Sequence, residues 1–219
     1  TDGEDGKNCV GDIFWGINLA VQGAIIGRLG STALASVSIS NTIFSILAVG
    51  MYGTAGASAI IIGKTVGSGN YDLVKEYAKK LQILFLVIGV VSGLCMFIAK
   101  DYILKLYNIS GDTIVMATQF LTVLSVTMVG TSYQMSSLTG IVRPGGAIHF
   151  VLINDLIHVW LIVIPSALLA AFVFHAPPVV VFACLKCDQI LKCFVAVIKV
   201  NRFKWIKNLT RQPGEAAAV

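Results

Sequence analysis

The sequence predicts an all-α, polytopic transmembrane helical bundle with about six spans. Composition is the first reason: of 219 residues, 56% are hydrophobic and only 12% are charged, and the mean hydropathy is +0.84. Soluble domains are usually about 25% charged, so this chain has too few charged side chains to cover a water-facing surface. Lipid is therefore the expected solvent for much of the chain.

The distribution of charge is the second reason. No Asp, Glu, Lys or Arg occurs in stretches of 35, 19 and 30 residues, at positions 29–63, 81–99 and 113–142. A helix needs about 20 mostly apolar residues to cross roughly 30 Å of hydrocarbon. Helices are expected rather than barrel strands, because the apolar runs are continuous and do not alternate with polar residues.

Six predicted spans follow one another, separated by short polar or basic segments. Gly50, Gly53 and Gly56 in the long second span are expected sites of bending or close helix approach. The polar stretch 72–80 before the third span resembles an amphipathic helix at the membrane interface. The predicted spans are 9–26, 33–63, 81–99, 114–142, 148–174 and 178–200, within a transmembrane domain 9–200 that lies between a polar segment 1–8 and a basic tail 201–219.

Lysine and arginine are divided unevenly between the two sides of this topology. Eleven lie on the side that holds both termini and three on the other, while Lys186 and Lys192 lie within the last span. Positive residues favour the cytoplasmic side. We therefore expect a multi-pass protein of the plasma (inner) membrane with cytoplasmic termini. The net charge of +5 is explained by these juxtamembrane residues, so nucleic acid is not an expected partner.

Polar side chains within the spans are the candidate binding residues. Asn18 and Gln22 are four residues apart and share one helix face, so they are candidates to line a substrate path. Asn41 is a further cavity-lining candidate. Tyr133 and Gln134 lie in a hydroxyl-rich part of the fourth span, which either cross-links helices or lines a wet cavity.

Ionisable residues in the spans are candidates for ion or proton coupling, because burying them in lipid costs about 2.5–3.5 kcal/mol. Asp12 is either such a group or a carboxylate at a helix start. Asp155 and His158 are three apart and can meet on one face, either to relay protons or to hold helices together. Asp188 and Lys192 are four apart and are expected to form an internal ion pair.

The chain lacks the motifs of common enzymes. It has no Gly-x-Ser-x-Gly elbow, no His-Glu-x-x-His and no phosphate-binding P-loop. We expect neither catalysis nor an organic cofactor or metal.

Several motifs, taken in order over residues 11–211, resemble the second half of multidrug and toxic compound extrusion (MATE) transporters. The chain has Asp12-Ile13-Phe14-Trp15, Gly27-Arg28-Leu29-Gly30 before Ala33-Leu34-Ala35, a Gly-rich stretch from Gly63 to Asn70 with Ala78, Gly140-Ile141-Val142-Arg143-Pro144-Gly145-Gly146, Trp160 with Pro165, and Trp205 before Asn208-Leu209-Thr210.

The resemblance implies a six-helix lobe of a twelve-helix transporter that exports organic, often cationic, compounds against inward Na⁺ or H⁺ flow. The N-terminal six-helix lobe is absent from this chain and would be its partner. Ala147 stands where the family's turn usually has Asp. Trp15 and Ser132 stand where some members have ion-binding carboxylates, so that cation site is not expected to be intact.

Two other functions fit the sequence less well. A lipid-linked oligosaccharide flippase of the same wider superfamily would need a larger and more basic cavity. A non-transporting membrane scaffold would pack Asn18 and Gln22 against protein instead of exposing them to a wet path.

Overall fold

The described part of the chain forms six helices. The computed structural model describes the backbone of residues 2–106, 110–174, 176–203 and 205–206, with side chains at residue 13 and from residue 16 onward within these ranges. The helices are α1 (Asp2–Arg28), α2 (Ser31–Gly67), α3 (Tyr71–Leu106), α4 (Gly111–Val142), α5 (Ile148–Val173) and α6 (Pro178–Asn201).

Four of these helices are long and apolar enough to cross a membrane: α2, α3, α4 and α5. Their outer surfaces carry exposed large apolar residues, such as Ile46, Ile60, Ile98 and Leu161. An apolar surface of this extent is stable in lipid but not in water. The predicted all-α membrane bundle is therefore confirmed.

Two helices, α1 and α3, extend furthest beyond the predicted spans. Helix α1 begins at Asp2 and so runs through the predicted polar segment 1–8. Helix α3 starts at Tyr71 and continues without a break to Leu106, so the expected interfacial helix and the third span are one helix of 36 residues. At about 1.5 Å per residue, such a helix is longer than a bilayer core is thick.

Helices α4 and α5 contain π-helical stretches. Helix α4 is α-helical to Ser137 and π-helical over Leu138–Val142, while α5 is π-helical over His158–Val163 and Leu169–Val173. The backbone N–H of Arg143 donates to the carbonyl of Leu138, five residues earlier, at 2.9 Å. Each such turn widens the helix locally.

Helix α4 lies centrally and packs against α2, α3 and α6. Helix α3 approaches it closely at two glycines. A Cβ on Gly89 would lie 3.0 Å from Cβ of Ser132, and one on Gly93 would lie 2.8 Å from the backbone oxygen of Ser125. Close approach of this kind is the usual role of small residues between membrane helices.

The glycines of α2 behave differently. A Cβ on Gly50, Gly53 or Gly56 would meet nothing within 4 Å. The expected close helix approach is therefore not observed at these positions within the described chain, and bending there stays a prediction. They lie on an open face of α2.

Two clusters of buried apolar residues fill the bundle. The first includes Met51, Leu124 and the stacked pair Phe120 and Phe182, whose ring centroids lie 4.5 Å apart. The second lies at the end where α2, α4 and α6 finish and includes Trp205, which is fully buried. The bundle thus has two apolar cores, one of them at the end where α2, α4 and α6 finish.

Trp205 closes that end of the bundle. Its Nε1 donates to the carbonyl of Val200 at 2.9 Å, and its ring lies directly against Gly145 in the turn between α4 and α5. Only a residue without a side chain fits there. The short segment after α6 is therefore an integral part of the packing.

Candidate functional site

A cavity of about 610 Å³ lies between α2, α4, α5 and α6. Pockets for small organic molecules are usually about 300–1,000 Å³. Its walls come from both apolar clusters, which places it where the two clusters meet. The lining residues are Phe44, Ala48, Met51, Tyr52, Leu124, Thr131, Gln134, Met135, Leu138, Thr139, Arg143, Val151, Asp155, Lys186, Gln189 and Lys192.

Helix α6 supplies the most polar wall of the cavity. Lys186, Gln189 and Lys192 are spaced three residues apart, and this spacing keeps side chains on one face of a helix. Helix α2 supplies an apolar wall with Phe44, Ala48 and Met51. These residues are spaced four and three apart and so also share one helix face. The cavity therefore has a cationic wall on α6 and an apolar wall on α2.

A buried lysine joins two carboxylates beside the cavity. The Nζ atom of Lys192 lies 3.0 Å from Oδ1 of Asp155 on α5 and 3.2 Å from Oδ2 of Asp188 on its own helix. Lys192 and Asp188 are each only 3% exposed. A charge this deeply buried needs a partner of opposite sign, and each of these residues has one.

Two glutamine side chains extend this ionic cluster to α4. Nε2 of Gln134 donates to Oε1 of Gln189 at 2.9 Å, and Nε2 of Gln189 donates to Oδ1 of Asp188 at 3.1 Å. The hydrogen bonds all run toward the carboxylate of Asp188. Its negative charge is thus shared between an ammonium and an amide donor.

The expected Asp188–Lys192 ion pair is therefore present. The sequence did not single out Lys186 or Gln189 as cavity-lining residues. The spacing of three residues between polar positions on α6 was the available signal, since it places Lys186, Gln189 and Lys192 on one face.

Two of the sequence-predicted site residues line the cavity: Gln134 and Asp155. His158 is buried, and its Nδ1 lies 2.8 Å from the backbone oxygen of Asn154. Within the described chain no hydrogen bond or ion pair joins His158 to Asp155. Asp155 is paired with Lys192 instead, so the expected meeting of Asp155 and His158 on one face is not observed.

The remaining predicted cavity-lining residues lie elsewhere. Nε2 of Gln22 donates to Oδ1 of Asn18 at 2.8 Å, as their shared face predicts, but Asn18 is buried and neither residue lines the cavity. Asn41 is exposed on α2 and does not line it either. The Tyr133 hydroxyl donates to Oε1 of Gln82 on α3 at 2.6 Å, on the side of α4 away from the cavity.

The predictions for two further residues fall outside the described part. The side chains of Asp12 and Trp15 are not among those that the structure describes. The coupling role considered for Asp12 therefore stays a prediction. Ser132, at the other position where relatives have a carboxylate, is buried and donates to the backbone oxygen of Phe85 at 3.0 Å.

Comparison with known proteins agrees with this architecture. The fold is similar to that of a MOP superfamily transporter from Pyrococcus furiosus, with a TM-score of 0.76 at 17% sequence identity. That similarity covers 92% of this chain and 43% of the archaeal chain, so this chain spans less than half the length of that protein. No curated protein matches the sequence.

The family assignment comes from the sequence itself. The MatE family profile matches residues 13–169, which is more than half of the 219 residues. The resemblance drawn from the motifs is thereby confirmed. This chain belongs to the MatE family.

Proposed function

We propose that the chain is the second six-helix lobe of a cation-coupled antiporter that exports small organic compounds. The observation that carries this proposal is the cavity near the middle of the bundle, with a desolvated ionic cluster in its wall. A partner lobe of six further helices would close the other side. Alternating access would then arise from rocking of the two lobes about a site near the bilayer midplane.

Asp155 is the best-placed coupling residue in the part of the chain that the structure describes. It lines the cavity, its side chain is 42% exposed, and it holds Lys192 at 3.0 Å. A proton or a Na⁺ ion at Asp155 would weaken its attraction for Lys192 and loosen the link between α5 and α6. Asp12 and His158 remain secondary candidates.

The cavity volume of about 610 Å³ is in the range of sites for drug-sized molecules. The cations in its wall also agree with the basic cavity expected of a lipid-linked oligosaccharide flippase, which stays the alternative proposal. A non-transporting scaffold would account for the buried Asn18, but it has no need for a cavity that exposes a carboxylate and several cations. The proposed location is the plasma (inner) membrane with cytoplasmic termini, because of the distribution of basic residues.

Dye export tests the proposal. The complete gene that encodes this chain would be expressed in a host lacking its own drug exporters. Accumulation of a cationic dye (ethidium) and of an anionic dye (fluorescein) would then be measured with and without an ion gradient. We expect accumulation of at least one dye to fall on expression and to recover when the gradient is collapsed.

A matched pair of aspartate variants tests whether Asp155 couples export to the ion gradient. Asp155→Asn should abolish gradient-dependent export, whereas Asp101→Asn, an equal change at an exposed site on α3, should leave it unchanged. Unchanged accumulation of both dyes on expression would contradict export. Full export by Asp155→Asn would contradict the coupling role.

A further inference from the structure

The charge of the cavity wall points to the kind of solute that it binds. Three cations line the cavity (Arg143, Lys186 and Lys192), and Asp155 is the one carboxylate among its lining residues. Asp188 lies behind this wall in contact with Lys192. Because Lys192 is matched by Asp155 and Asp188, Lys186 is the cavity-lining lysine whose charge bears on the solute.

Lys186 differs from Lys192 in its surroundings. Lys192 has two carboxylates within 3.2 Å, so its charge is balanced inside the protein. The Nζ atom of Lys186 has no carboxylate within ion-pair distance in the described part of the chain. It lies 5.7 Å from the centre of the Phe182 ring, a weak interaction for a cation.

A lysine in this setting is suited to bind an anion. It faces a cavity in the middle of a membrane bundle, where a charge without a counter-ion is costly. An acidic group of a solute would supply that counter-ion and would form a charge-assisted hydrogen bond with the ammonium. A cationic solute would instead be repelled by Lys186.

The apolar part of the lining is suited to the rest of such a solute. Phe44, Met51 and Tyr52 on α2 and Leu124 on α4 give this side an apolar and partly aromatic surface. Aromatic rings and aliphatic side chains bind a flat apolar body well. The cavity therefore matches an amphiphile with one acidic end.

We infer that the cavity binds a small organic anion, with its acidic group at Lys186 and its apolar body against α2. This inference names the substrate class of the proposed transporter and so rests on that proposal. Binding can nevertheless be measured without transport. The two can therefore fail separately.

Three probes that share one ring system test the inference: 2-naphthoate, 2-naphthylmethylammonium and 2-naphthylmethanol. Their dissociation constants would be measured by equilibrium dialysis with the purified chain in a neutral detergent and no ion gradient. The uncharged alcohol reports the contribution of the ring and of partition into micelles. We expect 2-naphthoate to bind about tenfold or more tightly than the ammonium probe.

Two lysine variants test whether Lys186 is the residue that favours the anionic probe. Lys186→Gln should weaken binding of 2-naphthoate by about tenfold and leave binding of the alcohol unchanged. Lys105→Gln is the matched control, because Lys105 also lies near an aromatic ring, 5.9 Å from the centre of Tyr102, but is exposed outside the cavity. It should bind all three probes as the unmodified chain does.

A variant at Asp155 gives an independent reading if Lys186→Gln does not fold. Asp155→Asn removes the one carboxylate among the cavity-lining residues and should strengthen binding of 2-naphthoate while weakening that of the ammonium probe. Equal or tighter binding of the ammonium probe by the unmodified chain would overturn the inference, as would an unchanged preference in Lys186→Gln. Anion binding without any dye export would retain the inference and overturn the transport proposal.

Discussion

The Nζ atom of Lys192 lies 3.0 Å from Oδ1 of Asp155, and this ion pair ties α6 to α5 beside the cavity. The two residues have different surroundings, because the side chain of Lys192 is 4% exposed and that of Asp155 is 42% exposed. Lys192 also neutralises Asp188, which is buried. The lysine is therefore essential to the burial of Asp188, whereas Asp155 is free to respond to solvent or solute.

Replacing this lysine should be strongly destabilising. Lys192→Met leaves Asp188 buried without a cation, and removal of one member of a buried pair typically lowers the free energy of unfolding by about 3–5 kcal/mol. Unfolding in detergent, followed by circular dichroism, measures the loss. Lys105→Met at an exposed site should change stability by less than about 0.5 kcal/mol.

A second substitution tests whether the unpaired charge of Asp188 causes this loss of stability. Adding Asp188→Asn to Lys192→Met removes the unpaired carboxylate and should recover part of the lost stability. A double variant no more stable than the single one would show that burial of Asp188 is not the source of the loss.

The contact between α3 and α4 gives the second prediction. Gly93→Ala places a Cβ 2.8 Å from the backbone oxygen of Ser125, so the two helices must move apart. Overpacking of this kind typically costs about 1–3 kcal/mol. Gly53→Ala, also within a helix but with nothing within 4 Å, should be neutral or stabilising by up to about 1 kcal/mol. Equal effects of the two variants on the thermal midpoint would contradict close packing at Gly93.

The buried tryptophan gives the third prediction. Trp205→Ala should lower the free energy of unfolding by about 3–5 kcal/mol, because it empties the space above Gly145. Gly145→Ala should also destabilise the protein, because its Cβ would occupy the space of the Trp205 ring. Combined in one chain, the two changes should cost less than the sum of their separate effects. Strict additivity in this double-mutant cycle would mean that the two residues do not interact.

Tyr133 gives the fourth prediction. Tyr133→Phe removes a hydrogen bond to Gln82 and should lower the free energy of unfolding by about 0.5–1.5 kcal/mol. The probe preferences of the cavity should not change, because Tyr133 does not line it. A marked change in binding of 2-naphthoate would show that Tyr133 contributes to the cavity, as the sequence predicted.

The helices themselves could be predicted from the sequence, because long uncharged runs can be buried only in lipid or in a core. The ion pair of Asp188 and Lys192 was also predictable, since both residues lie on one helix and their spacing fixes their distance. Local relationships of this kind need no knowledge of the neighbouring helices. The family could also be predicted, because its motifs are short stretches of sequence that can be identified without knowing how the helices pack.

Cavity membership was harder to predict, because it depends on how each helix is rotated. Tyr133 and Gln134 are adjacent in sequence but about 100° apart around α4, so one faces α3 and the other the cavity. Gly93 and Gly53 show the same limit. A glycine allows a neighbouring helix to come close, but the glycine alone does not determine whether a helix lies there. Asp155 found its partner on another helix, which no spacing along α5 could reveal.

The π-helical stretch His158–Val163 carries a consequence for the evolution of this membrane protein. A π turn accommodates one residue more than an α turn between the same ends, so it allows the helix to hold an extra residue without breaking. Loss of a single amino acid there would restore ordinary winding and leave Ile148 and Val173 near their present places. Relatives with one residue fewer in this region can thus share the same three-dimensional framework.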